Sequence, residues 1–367
     1  MTRLQQFSKR VILPAVLLGG LAVAVWQGWS WWSWAIAPPV SDQSGASPEA
    51  IQLKIREGAS AREIGQDLQT LGLIRSASAW DIWTRWLTFH EPSGGFKAGI
   101  YRVSPADSLP AIASKIWTGD VVNLSYTIPE GWNLQDMAAY FEQQGFFSAD
   151  DFLQAATTFP AADYPWLPKS DVGNSLLEGY LYPDTYQLSA GAITPQTVLK
   201  QMLDRFQEIA LPLYAEAQGK TSLSFAEWVT LASIVEKEAV VPSERAVIAG
   251  VFLNRLKQNM PLGADPTVEY GLGIKQTPDR PLTYAEVNTP SPYNTYINSG
   301  LPPTPIASPG QASLKATLFP DKTDYLYFVA RYDGTHVFSR TLAEHQAAQD
   351  AIHDQREAQK PASPAAN

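Results

Sequence analysis

Glu236 and Glu238 lie two residues apart near the end of an otherwise apolar segment, residues 225–240. At about 100° per residue, Phe225, Trp228, Val229, Ala232, Val235 and Ala239 share one helical face. Glu236 falls inside that face, at about 20°. Glu238 falls at about 220°, beside Leu231 and Ile234. The segment is apolar nearly all round, so it reads as a central helix. A carboxylate there is costly unless paired or protonated, and burial raises its pKa. A Glu that stays protonated is what a general acid for glycosidic cleavage requires. The competing reading is that both carboxylates are ion-paired, with Lys237, Arg245 or Arg255. Periodicity alone favours Glu236 over Glu238 as the acid.

Two further constellations carry polar chemistry. Glu178-Gly-Tyr180-Leu-Tyr-Pro-Asp184-Thr-Tyr186 places aromatic and carboxylate groups in a Pro-fixed loop, suited to sugar stacking and hydroxyl recognition or to a strand with a turn. Ser291-Pro-Tyr293-Asn294-Thr295-Tyr296, followed by Gly300-Leu-Pro-Pro303, gathers phenol, amide and hydroxyl groups as a site wall would. Other templates are absent. No HExxH, G-x-S-x-G, GxxxxGK[ST] or GxGxxG occurs. The four His are dispersed and there is no Cys, so no metal and no cofactor is expected.

These groups need elements to hold them. Ser224 to Glu227 forms a capping box that opens a helix over about 225–240. A second helix is predicted over 243–259, with Ile248, Val251, Phe252 and Leu256 facing inward. After 260 the chain is punctuated by Pro and reads as long loops. Tyr325–Ala330 and Thr335–Phe338 bracket Asp333-Gly334 as a β-hairpin, and a closing helix is predicted over 341–355. Upstream, an internal repeat has an offset of 73 residues: Ile55-Arg-Glu-Gly58-Ala-Ser60 matches Ile128-Pro-Glu-Gly131-Trp-Asn133. Each copy reads as a strand, a Gly turn and a helix, with caps Ser60 and Asn133, and a second helix over 76–88 or 148–157. The repeat is either a duplicated structural module or a polysaccharide-binding module of LysM type.

The 367 residues carry a net charge of −9, which disfavours a nucleic-acid binder. Residues 11–41 contain no charge, and the apolar run is long enough to span a bilayer. Arg3, Lys9 and Arg10 precede it, so the N-terminus is expected in the cytoplasm and the rest outside. Five of the 12 Trp (Trp26, Trp29, Trp31, Trp32 and Trp34) would form a belt at the outer interface. The competing reading is a signal peptide cleaved at Ala35-Ile36-Ala37.

The motifs Leu177–Tyr186, Ala232-Ser-Ile-Val-Glu-Lys-Glu238 and Asp265-Pro-Thr267-Val occur in that order. Tyr293–Tyr296, Gly300-Leu-Pro-Pro303 and Ser308-Pro-Gly310 follow. Together they resemble the YceG-like (MltG) endolytic murein transglycosylases, over about residues 50–350. The resemblance implies cleavage of MurNAc–GlcNAc β-1,4 bonds in nascent glycan strands, leaving a 1,6-anhydromuramyl end and limiting strand length. It implies Glu238 as the single catalytic acid/base, and Glu236, which periodicity favours, becomes the second choice. Substrate-binding candidates are then Glu178, Tyr180, Asp265, Thr267, Tyr293, Asn294, Thr295 and Tyr296.

The expected fold class is α+β: a transmembrane helix, a LysM-like strand–helix–helix–strand subdomain and a mixed α/β YceG-like catalytic domain. The expected boundaries are a cytoplasmic tip at 1–10, a membrane helix at 11–36 and a linker at 37–50. They continue with a LysM-like subdomain at 51–127, a catalytic domain at 128–355 and a disordered tail at 356–367. The chain is expected at the plasma (inner) membrane as a single-pass protein with its catalytic domain extracytoplasmic. Its partners would be peptidoglycan glycan strands and peptidoglycan synthases, with no nucleic acid. The alternatives are a non-catalytic, membrane-anchored peptidoglycan-binding scaffold for synthases and an ordinary hydrolase.

Overall fold

The repeat predicted at Ile55 and Ile128 is present in both copies of the computed structural model. In the first, Gly58 (φ 76°) turns the chain into a helix capped by Ser60, whose hydroxyl accepts the Glu63 amide at 3.3 Å. The Glu63 carboxylate accepts the Ser60 amide in return at 2.8 Å. In the second, Gly131 (φ 78°) precedes Asn133, which makes the same reciprocal box with Asp136. Gly72 (φ 69°) and Gly145 (φ 71°) follow the two helices, where a left-handed residue ends the helix without a Cβ penalty. Such caps each contribute about 1 kcal/mol.

The structure describes residues 3–40, 49–91, 94–169, 177–189, 193–277, 279–331 and 333–359. At 3–17, 123–124, 189 and 357–359 it describes backbone alone. Most of the predicted linker 37–50 and tail 356–367 therefore lie outside the described residues, as do the side chains of the predicted tip 1–10. The described residues divide into two units, one running up to residue 125 with 187–193, the other comprising 126–186 and the residues from 194 on.

The first unit holds α1 (Arg3–Ile36), β1 (Ile51–Ile55), α2 (Ala61–Thr70), α3 (Ala77–His90), β2 (Gly99–Val103) and α4 (Leu109–Thr118). β1 and β2 pair antiparallel, Ile51 opposite Val103 and Ile55 opposite Gly99, so the strand–helix–helix–strand order is present. Leu53, Ile55, Ile64, Leu68, Trp80, Tyr101, Val103, Ile112 and Ile116 make its core. The predicted span 11–36 falls within α1, and its first part, 11–17, has no described side chains. Among the described residues, no helix is long and apolar enough to cross a membrane.

The chain leaves the first unit along β3 (Asn123–Thr127), enters α5 (Leu134–Gln143) and α6 (Ala149–Thr157), and returns along β4 (Thr185–Ser189), which pairs with β3. The second unit continues with α7 (Pro195–Glu216), α8 (Phe225–Glu238), α9 (Arg245–Lys257), α10 (Asp265–Leu272), α11 (Tyr284–Val287) and α12 (Gln311–Leu318). The hairpin β5 (Tyr327–Ala330) and β6 (His336–Ser339) follows, then α13 (Leu342–Gln359). Each hairpin strand starts or ends a residue or two from its predicted bounds. α8 opens on the predicted capping box: the Ser224 hydroxyl accepts the Glu227 amide at 3.3 Å. Trp228–Val235 are all buried, so the helix is central as expected. Asp265-Pro266 opens α10 where loops were predicted, because Pro in the first helical turn loses no hydrogen bond that the helix would have made.

Candidate active site

α8 ends at Glu238, where the backbone turns to an extended conformation at Ala239 (ψ 102°). The helix leaves the core at that point, so the Glu238 side chain emerges half-buried into a cleft of about 750 Å³. Asp265, Arg255, Gln276, Tyr296, Tyr327, His336 and His345 also line it. Glu238 has no side-chain hydrogen bond or ion pair with another described residue. Burial pushes its carboxyl up to about 8, with the charges of Asp265 and Glu269 adding to the rise and Arg255 opposing it. The helix C-terminus is the negative end of the backbone dipole, which also disfavours a carboxylate there. The raised pKa favours the protonated form of a carboxyl that faces open space at neutral pH.

The opposite wall is built by polar residues that fold one another. Tyr296 donates its hydroxyl to Asp265 Oδ1 at 2.6 Å, and both line the cleft. Behind them Thr267 and Thr295 are buried and bond hydroxyl to hydroxyl at 2.9 Å. The Ala264 amide donates to Thr295 at 3.0 Å, and Thr267 donates to the Ala264 carbonyl at 2.6 Å. Asn294, also buried, donates to the carbonyls of Val287 and Thr289 and accepts the Tyr296 amide at 2.9 Å. Tyr293 lies edge-on to Tyr270 and bonds Thr304 at 2.8 Å. Of the candidates in this region, Asp265 and Tyr296 reach the cleft, while Thr267, Tyr293, Asn294 and Thr295 hold the wall from behind.

Residues 53–351 match the YceG-like family. The chain is 34% identical over 316 residues to a Bacillus subtilis (strain 168) protein named endolytic murein transglycosylase, covering 83% of this chain and 85% of that protein. The chain belongs to the YceG-like family. A Streptococcus pneumoniae serotype 2 protein of the same name is 31% identical over 333 residues, which cover 82% of this chain and 59% of that longer protein. The crystal structure of a YceG-like protein from Listeria monocytogenes is similar at a TM-score of 0.57 and 33% identity, over 82% of this chain and 100% of that one.

In this YceG-like chain the remaining candidates lie away from the cleft. Glu236 forms an ion pair with Arg245 at 3.5 Å and accepts the Gly310 amide at 3.0 Å. That is the pairing alternative weighed for it, and it differs from the acid role that periodicity favoured. Two residues on a central helix point roughly 200° apart, so one faces the protein while the other faces the cleft. Glu178 is buried, accepting the Leu134 amide at 3.2 and 3.3 Å and the Tyr270 hydroxyl at 2.9 Å. Tyr180 is buried among Trp166, Phe206 and Phe225. Both were expected to meet sugar. An aromatic and acidic pattern reads the same from sequence whether it faces a ligand or a core.

Four cleft residues had no signal as site candidates in the sequence. Arg255, weighed there only as an ion-pair partner, donates to the carbonyls of Leu326 at 2.6 Å and Leu262 at 2.7 Å and lies over the Tyr327 ring at 5.1 Å. His345 stacks on Tyr327, and Gln276 donates its amide to Glu269 at 2.6 Å. His336 holds Glu244 at 2.7 Å. Among the described residues no group of three or more His, Asp or Glu could hold a metal ion.

Proposed function

We propose that the chain is a peptidoglycan lytic transglycosylase that cuts within glycan strands, with Glu238 as its single acid/base. The observation that carries this reading is the Glu238 carboxyl, pushed up to about 8 and facing a cleft large enough for sugar rings. The relatives named endolytic murein transglycosylase support the substrate class.

The protonated carboxyl donates to the glycosidic oxygen as the bond to muramyl C1 breaks, and the GlcNAc leaves with a new 4-hydroxyl. The muramyl C6 hydroxyl attacks C1 and closes the 1,6-anhydro ring. Its proton passes to the Glu238 carboxylate, which restores the acid. No water enters, so one carboxyl serves where a hydrolase needs two. Arg255 stabilises the carboxylate while it is charged. Tyr296, Asp265, Gln276 and His345 offer donors and acceptors to sugar hydroxyls.

The first unit, with its strand–helix–helix–strand order, acts in this reading as a LysM-like glycan-binding module. In this reading the uncharged run 11–36, whose residues 11–17 have no described side chains, anchors the chain in the plasma membrane with both units outside, although no helix among the described residues is long and apolar enough to cross one. Ala35 supports a retained helix, because it is fully buried in the core of the first unit and cleavage after Ala37 would remove it. Synthases that extend glycan strands are natural partners.

Glu238→Gln tests the reading. It abolishes release of anhydromuropeptides from purified peptidoglycan while circular dichroism stays unchanged. Mass spectrometry of the wild-type products gives anhydro ends. Reducing ends would make the enzyme a hydrolase, and undiminished product from the variant would remove Glu238 from the chemistry.

A further inference from the structure

Six aromatic rings form an unbroken series along the first unit. Trp31 and Trp32 in α1 lie 6.3 Å apart between centroids, and Trp32 stacks on Trp83 of α3 at 6.3 Å. Trp83 meets Trp86 at 5.1 Å, Trp86 stacks on His90 at 4.3 Å, and His90 meets Phe89 edge-on at 5.3 Å. The series runs outward from the core. Trp86 is 47% exposed and Phe89 82%, with Ile82 at 50% on the same face of α3. Positions 82, 86 and 89 recur at helical spacing, so they make one stripe.

Two observations say what covers this stripe. It is continuous, through Trp32, with the exposed apolar side chains of α1: Leu21, Val25, Trp26 and Trp29. Its composition is that of the bilayer interface, where indole rings bury their bodies and hydrogen-bond at the headgroups. Its charged rim is mixed, with Arg85 and Glu91 both exposed. Arg85 is exposed beside Phe89, and Arg75 lies over Trp34 at 5.7 Å while donating to the Trp34 carbonyl. The acidic neighbour Asp81 is turned toward Arg62 at 4.0 Å. A helix with an exposed aromatic and apolar face lies in the headgroup region of a membrane.

We propose that the Ile82–Trp86–Phe89 face of α3 rests in the headgroup layer of a bilayer, so that the first unit is docked on the lipid surface. The inference goes beyond the proposed activity. It rests on the anchoring reading for what brings this unit to the membrane.

The absence of Cys makes the test direct, since one introduced Cys takes one nitroxide label. The full-length protein is reconstituted into phosphatidylethanolamine–phosphatidylglycerol vesicles with a label at Phe89→Cys, Val23→Cys or Gln66→Cys. All three side chains are exposed, so labelling leaves the core intact. The expected result is that the labels at 89 and 23 collide more with oxygen than with a water-soluble nickel chelate, while the label at 66 shows the reverse. A lipid signature at 23 with an aqueous one at 89 overturns the docking and leaves the anchor standing. Aqueous signatures at both overturn the anchor and the docking together. A label at 89 shielded from both quenchers reports a second copy of the chain on this face and also overturns the proposal.

Discussion

Tyr270 donates its hydroxyl to Glu178 Oε2 at 2.9 Å, and the same carboxyl takes the first amide of α5. One buried acid thus ties α10, α5 and the 177–186 segment together. Burial pushes Glu178 up to about 7, with Asp136 adding to the rise and the hydrogen bonds from Tyr270, Leu134 and Gly179 opposing it. Its folded pKa lies above the ordinary 4.5, so the folded state holds the proton more tightly than the unfolded chain does. The stability tied to that proton is fully present below about pH 4.5 and is lost as pH rises through about 7. Urea midpoints should fall across that window. Glu178→Gln should flatten the fall, and an unchanged slope would assign it to other groups.

The pH dependence of activity has its own window. As the proposed acid, Glu238 has to be protonated to donate, so kcat/KM should hold below about 8 and decline above it, approaching about tenfold per pH unit. Asp265→Asn removes a negative charge that helps keep the proton on. The alkaline limb should then move to lower pH, read from anhydromuropeptide release across a buffer series.

Gly179 has φ 82°, and a Cβ placed there would lie 2.3 Å from the Pro305 ring and 3.2 Å from the Ala307 carbonyl oxygen. Neither neighbour is the free end of a flexible chain. Gly179→Ala should destabilise the fold by about 2–4 kcal/mol, combining left-handed strain with the clash. Calorimetry on the purified variant measures it, and a melting temperature within a degree of wild type would show that the turn relaxes.

The Tyr180 hydroxyl is buried and finds no hydrogen-bond partner among the described residues. Removing it relieves a desolvated polar group while the ring keeps its packing on Phe206 and Phe225. Tyr180→Phe should be neutral or stabilising by up to about 1 kcal/mol and should leave anhydromuropeptide release intact. A loss of activity would return Tyr180 to the substrate side.

What the sequence reveals here depends on how local the cause is. The caps at Ser60, Asn133 and Ser224 were legible because donor and acceptor sit three residues apart. α7 was not marked, although Thr194 and Pro195 open it with a cap and a proline at its first position. α12 was not marked either, because it follows the Pro- and Gly-rich run that ends at Gly310. In the site, periodicity found a buried helix with two acids, and a helix buried nearly all round has no single apolar face from which to choose between them. The partners that separate them are remote: Gly310 for Glu236, and Asp265 with Arg255 around Glu238. Glu178 and Tyr180 lie inward for the same reason, through contacts with Tyr270 and Phe206.

The chain passes between the two units at 125/126, 186/187 and 193/194, and the first two crossings fall inside the paired strands β3 and β4. Residues up to 125 therefore do not make up the whole of the first unit. A protease cut or gene truncation just after Thr127 would strip β4 of its ladder partner. A minimal catalytic fragment must keep β3, and evolutionary shuffling of the first unit would have to exchange two separate stretches of coding sequence at once.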